Sequence, residues 1–286
     1  MNIPELYKPK FNSLKRQIPV VNIQEKKLFI QEFKREQPFI LSHDLSDYLT
    51  ETLEAVAALD KNVRIKTFDS IPYREIREGY FNDYLTYTRQ ADTTPFYPIN
   101  FELIEERSLN ITQTPFRHYA LSLNEGIFPH IQKFKVPFIE NDNYLLQLEN
   151  NFYQKFKVTS PHWLFIHPKY SVSNAHYDHD AVHTAIFQLK GSKWACLVAP
   201  EDHKYIQNKS FPLLPNGFND FTNDALAQLP TEGLVTWEGE LNENQILFIP
   251  KRWVHYVVGQ SSGISYSQDI VNQTNFNDWM ASVMRS

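Results

Sequence analysis

Cysteine is nearly absent. Cys196 is the single one in 286 residues, which excludes an intramolecular disulfide framework and any cysteine-rich zinc site. Long apolar runs are missing too: none approaches the roughly 20 residues that a membrane-spanning helix needs. The opening Met1-Asn2-Ile3-Pro4-Glu5 has no charged segment followed by an apolar one, so no secretory signal is expected there. No basic run exceeds a few residues and the net charge is −5, which argues against nucleic acid as a partner. Internal repeats, low-complexity stretches and linker-like composition are likewise lacking. Together these absences lead to the expectation of a soluble, cytoplasmic protein with neither membrane nor nucleic-acid partners, and they leave the oligomeric state open.

Aromatic residues, by contrast, are plentiful, with 21 Phe, 15 Tyr and 5 Trp, a composition suited to a β-rich core with aromatic-lined pockets. Residues 1–18 read as a polar, loosely attached lead-in. Asn22 and Glu25 form a capping-box pattern that opens a helix to about Gln37, with Leu28, Phe29 and Phe33 on its buried side. Phe39-Ile40-Leu41 reads as a short core strand, and Leu45, Tyr48, Leu49, Leu53 and Val56 mark a second helix. Val63 to Lys66 alternates like an edge strand. Pro72 introduces a third helical stretch carrying Ile76, Phe81, Tyr84 and Leu85. From about residue 117 the pattern becomes short alternating runs with turn signals. Strands are expected at 118–123, 163–166, 171–176, 185–189, 194–198, 245–250, 254–258 and 264–269. A helix is expected from Asn143 to Phe156. Gly191-Ser192 looks like the turn of a tight hairpin, and the last two runs before residue 259 look like another strand pair. The expected organisation is an N-terminal helical and mixed cover over 1–110, a β core over 111–272 and a short tail over 273–286.

His176 and Asp178 are two residues apart and share a face if their segment is a strand. His255, after the rigid turn Ile249-Pro250-Lys251-Arg252-Trp253, can supply a third donor. Two imidazoles and one carboxylate form the facial set of non-haem Fe(II) oxygenases, which leaves coordination positions open. Lys193 lies among Trp194, Cys196 and Val198, and a lysine facing a barrel interior is costly unless a carboxylate meets it. Ser173, three residues before His176, is placed to share that carboxylate. Tyr119 carries a phenol that needs a partner if buried. His179, Asp180 and His183 crowd the triad without repeating a two-metal spacing; they are read as solvent-exposed, with a supporting or substrate-facing place as the alternatives. Cys196 and Trp253 are read as packing residues.

These stretches resemble the JmjC (cupin-like) family of Fe(II)- and 2-oxoglutarate-dependent oxygenases. The resemblance is carried by Ser173-Asn174-Ala175-His176-Tyr177-Asp178, Gln188 to Lys193, Val198-Ala199-Pro200 and Leu247 to His255, with Glu32 to Leu41 similar to the family's opening segment. Within the family the chain is similar to the small hydroxylases typified by the asparaginyl hydroxylase of the hypoxia response. The resemblance implies a double-stranded β-helix of jelly-roll type, mainly β with an N-terminal helical cover. It implies Fe(II) held by His176, Asp178 and His255, and O2 and 2-oxoglutarate as co-substrates. It assigns Tyr119, Ser173 and Lys193 to the far carboxylate of 2-oxoglutarate. Thr184 stands nearest a position where the family has an amide, and Asp269 stands where an asparagine is common; both are expected near the other end of the co-substrate. The implied reaction is hydroxylation of a C–H bond in an amino-acid side chain, in a peptide or a small molecule, with release of succinate and CO2. Two alternatives stay open, a non-catalytic cupin-like binding protein and a zinc or nickel cupin without a co-substrate.

Overall fold

Most of the alternating runs become strands, but they pair across distances that the local sequence does not reveal. The computed structural model describes residues 3–22, 26–58, 64–68, 75–80, 101–103, 107–109, 119–122, 142–147, 162–167, 169–214 and 219–284. The strands in the first half are β1 (Leu14–Gln17), β2 (Val20–Val21), β3 (Phe39–Ser42), β4 (Arg64–Phe68), β5 (Glu75–Tyr80), β6 (Phe101–Leu103), β7 (Arg107–Leu109) and β8 (Tyr119–Ser122). Those in the second half are β9 (His162–His167), β10 (Val172–His176), β11 (His183–Lys190), β12 (Lys193–Val198), β13 (Val235–Leu241), β14 (Gln245–Ile249), β15 (Val254–Gly259) and β16 (Gly263–Ile270). Helices are α1 (Lys26–Phe33), α2 (Ser46–Ala58), the single turn α3 (His203–Ile206) and α4 (Phe276–Val283).

A five-stranded sheet runs β1-β13-β12-β15-β10, and a nine-stranded sheet runs β2-β3-β14-β11-β16-β9-β8-β4-β5. The expected hairpin at Gly191-Ser192 is therefore not a hairpin. β11 pairs with β14 and β16, whereas β12 pairs with β13 and β15. Gly191, at φ +76° with Ser262 O only 2.2 Å from where a Cβ would sit, turns the chain from one sheet to the other. The expected pairing of β14 with β15 fails in the same way. Such switching makes a two-sheet jelly roll, in which neighbours in sequence lie in opposite layers. The protein is mainly β with few helices.

Between the sheets lies an apolar interior that includes Ile18, Ile40, Ile186, Ala195, Leu197, Leu247, Ile249, Trp253 and Val257. A second core covers the outer face of the five-stranded sheet, where Trp194, Cys196, Val198, Val254, Tyr256 and Val258 meet Ile3, Tyr7, Phe11, Phe221 and Leu226. The lead-in is thus not loose: it packs as core and then supplies the edge strand β1. Cys196 and Trp253 are packing residues as expected.

The outer face of the nine-stranded sheet carries α1, whose Phe29 meets Phe248 edge-on with 5.1 Å between ring centroids. Leu28, expected on that side, is exposed instead. β4 is internal rather than an edge, because β5 and β8 flank it. The third helical stretch is replaced by β5 around Ile76; Phe81, Tyr84 and Leu85 lie outside the described residues. Of the helix expected at 143–156, a 3-10 segment at Tyr144–Gln147 is described and the rest lies outside the described residues. Among the described residues no helix is long and apolar enough to cross a membrane.

Candidate metal centre

His176 ends β10 directly opposite His255 on β15, and their rings lie 4.2 Å apart between centroids. Asp178 follows in extended conformation at φ −66°, ψ 144°, just before a 3-10 turn at His179–Ala181. Its Oδ1 lies 3.8 Å from His176 Nε2 and 3.9 Å from His255 Nε2. The three ligand atoms fall within 4.8 Å of one another, the spacing of donors around one ion. The three residues singled out from sequence are therefore brought together.

Each ring is held from behind. His176 Nδ1 lies 2.7 Å from Asn174 O, and His255 Nδ1 lies 3.2 Å from Trp253 O. A carbonyl only accepts, so each Nδ1 carries the proton and each Nε2 keeps its lone pair for a metal. Burial, followed by the neighbouring His255, holds the His176 pKa down to about 4 against the opposing pull of Asp178. Burial pushes the Asp178 carboxyl up, but His255, His176 and the Thr184 hydroxyl outweigh it and keep the group below its usual value. A neutral His176 beside an ionised Asp178 is what a divalent cation requires of these two groups.

Thr184 donates its hydroxyl to Asp178 Oδ2 at 2.5 Å, which turns the other oxygen toward the histidines. Thr184 therefore positions a ligand, which the sequence reading did not foresee. Asp269 stands opposite Thr184 on β16. Ser173 pairs with Val257, whose side chain belongs to the interior core, while neighbouring Val172 belongs to the outer core. Three residues along a regular strand reverse the face. The irregularity between Ser173 and His176 restores it, so both residues face inward.

Lys193 is buried four register pairs below the Leu197–His255 pair, on the same face of the sheet and opposite Gly259. It donates to Ser265 Oγ at 2.5 Å and lies 5.2 Å from the centroid of the Phe165 ring. Among the described residues no carboxylate reaches it, and burial holds its pKa down to about 7. An ammonium has three donors, and Ser265 takes one, so a ligand carboxylate fits this end of the interior. Ser265 escaped the sequence reading. The signal was there in Ser265, Ser267 and Asp269, which alternate along β16 with Tyr266 and Gln268. Tyr119 opens β8, next to β9, which carries Phe165; its side chain lies outside the described part.

His183, expected at the surface, is buried. Its Nδ1 accepts the Lys251 backbone N–H at 3.1 Å, so its Nε2 donates to Thr274 Oγ1 at 3.0 Å. His179 and Asp180 contact each other outside the triad, and Asp180 accepts from Ser282 at 3.0 Å.

A family model described as a cupin-like domain matches residues 33–278. No curated protein matches the chain.

Proposed function

We propose, from the premise that this chain belongs to the cupin-like domain family, that it is an Fe(II)- and 2-oxoglutarate-dependent dioxygenase. Its reaction is hydroxylation of a C–H bond in an amino-acid side chain, within a peptide or in a small molecule. The observation that carries this reading is the pairing of an open two-histidine, one-carboxylate set with a buried lysine that, among the described residues, no carboxylate meets, the two histidines and the lysine sharing the inner face of one sheet. A zinc or nickel cupin without a co-substrate gives that lysine nothing to bind, which ranks such a cupin lower.

When bound, Fe(II) and 2-oxoglutarate supply the oxidising power, with O2 consumed, succinate and CO2 released, and one oxygen atom placed in the C–H bond. His176 and His255 contribute Nε2, and Asp178 contributes Oδ1 while Thr184 occupies its other oxygen. Lys193, with Ser265 at its side, offers a charge-assisted bond to the far carboxylate of 2-oxoglutarate. Family resemblance adds Ser173 and Tyr119 to that carboxylate and places Asp269 near the other end. Leu197, Ile249 and Val257 keep water out of the space between. The likeness to the small hydroxylases favours hydroxylation over demethylation.

The test is anaerobic addition of Fe(II) and then 2-oxoglutarate, with the visible charge-transfer band as readout. The expected result is a band in the wild type, none in His176→Ala, and a need for far more 2-oxoglutarate in Lys193→Ala. Absence of the band in folded, metal-loaded wild type overturns the reading. A band without succinate release under air, across a substrate panel, leaves the non-catalytic binding protein.

A further inference from the structure

The register of the five-stranded sheet aligns one residue from every strand in a single row. Arg16 on β1 stands beside Trp237 on β13, Trp237 beside Leu197 on β12, Leu197 beside His255 on β15, and His255 beside His176 on β10. Paired residues of adjacent strands project to the same face. Leu197 belongs to the interior core and Trp237 packs against it, so the row lies on the face that carries the metal ligands. Three strand spacings of about 4.8 Å put the Arg16 backbone about 14 Å from that of His255 along the sheet.

The Arg16 guanidinium lies over the Trp237 ring, 5.5 Å from its centroid. Trp237 meets Trp253 edge-on at 5.9 Å, and Trp253 is two residues from His255. The two indoles therefore link the guanidinium to the residue whose backbone carbonyl holds His255. The other cation of β1, Lys15, lies on the opposite face and has its acid in Glu238 at 3.0 Å. Arg16 is exposed, and among the described residues no carboxylate meets it. An arginine stacked on an aromatic ring keeps its fork of N–H donors pointing outward and preorganised for a planar anion.

We infer that Arg16, held on Trp237, is the anchor for a carboxylate of the primary substrate, with Trp237, backed by the packed Trp253, flanking the chain that runs from that carboxylate to the oxidised carbon. The inference rests on the oxygenase reading for its meaning as a substrate site. The shared chemistry is a carboxylate carried by a free amino acid or by an acidic side chain of a peptide.

Binding is read by intrinsic tryptophan fluorescence on protein loaded with zinc and saturated with 2-oxoglutarate, so that the Lys193 end is already filled. The probes are L-aspartate and L-glutamate, their amides L-asparagine and L-glutamine, and one peptide made with Glu or with Gln at its centre. The expected result is saturable quenching by acidic probes and not by their amides. It weakens at least tenfold in Arg16→Gln and in Trp237→Leu, and less in Arg16→Lys, which keeps the charge but not the fork. Quenching by the free acids identifies a small-molecule substrate, and quenching by the acidic peptide alone identifies a peptidyl one. No saturable response to any acidic probe, equal responses to acids and amides, or an unchanged response in Arg16→Gln overturns the inference. The charge-transfer band is recorded on iron-loaded samples of the same preparations. Acid-selective quenching without the band removes the oxygenase reading and leaves a carboxylate site; the band without such quenching removes this inference alone.

Discussion

Burial holds the Lys193 ammonium down to about 7, so at neutral pH the free protein is poised between a charged and a neutral amine. A ligand carboxylate needs the charged form. Raising the pH from 7 to 9 neutralises the amine before 2-oxoglutarate arrives, and affinity falls, approaching tenfold per pH unit above about 8 as one proton becomes linked to binding. A titration of the charge-transfer band against 2-oxoglutarate at several pH values measures this. Lys193→Gln is expected to bind weakly at every pH with that slope gone, and a wild-type affinity flat from pH 7 to 9 contradicts the assignment. Single residues were where the sequence spoke most plainly. His176, Asp178 and His255 were legible as a donor set by their spacing, and Lys193 as a cation among the apolar Trp194, Cys196 and Val198. Thr184 was legible as a position but not as the donor to Asp178, since that bond depends on how the chain folds back after residue 178. Ser265 was hidden because serine is common and its partner lies 72 residues away.

At the level of elements, the segment expected only as a short tail over 273–286 holds the helix α4, which fastens the loops that carry two of the candidate ligands. Asn275 Nδ2 donates to Ala181 O at 3.0 Å, just after Asp178, and Lys251 Nζ donates to Asp278 at 2.7 Å, just before His255. His183 joins the same fastening by accepting the Lys251 N–H and donating to Thr274, which requires a neutral ring. Burial, reinforced by Lys251, holds its pKa down to about 3. Between about pH 6.5 and 3 the unfolded chain binds a proton there that the folded chain does not, so stability rises with pH across that window and is lost as pH falls. The ceiling is on the order of 5 kcal/mol. Urea unfolding at pH 7, 6, 5 and 4 is expected to show His183→Gln less stable at pH 7 but with a shallower decline; parallel declines refute it. Helix length was underread because Phe276 to Val283 lacks a strong start signal, and its Asn275 side chain is spent on Ala181 and Ile270 carbonyls rather than on a cap. Strands were read well as segments and poorly as pairs, since alternation reports burial on one face and nothing about which strand lies beside it.

Across the whole molecule, the first residues of the described chain act as the second layer behind the sheet that carries His176 and His255. Tyr7 is fully buried, stacks on Tyr170 with centroids 5.2 Å apart, and its carbonyl accepts the Tyr256 hydroxyl at 3.0 Å. Tyr256 neighbours His255 in sequence but faces the opposite side of β15, so the strand is clamped between a ligand face and an outer core. The polar look of residues 1–18 concealed this, because three buried side chains, Ile3, Tyr7 and Phe11, are spaced four apart among charged ones. Removing a buried aromatic side chain costs about 3–5 kcal/mol, a large part of a typical domain's net 5–15 kcal/mol. Tyr7→Ala is therefore expected to lower the urea midpoint strongly, whereas Leu14→Ala, at a 67% exposed position, is expected to stay within about 0.5 kcal/mol of wild type. A loosely attached lead-in would make both substitutions silent. Saturating metal binds the folded state alone and adds the same increment to wild type and Tyr7→Ala, because Tyr7 supports the sheet without touching a ligand. His176→Ala should instead lose that increment while keeping its outer core. If metal fails to restabilise folded Tyr7→Ala, the outer layer shapes the site directly, and the two faces of β15 are not energetically separable.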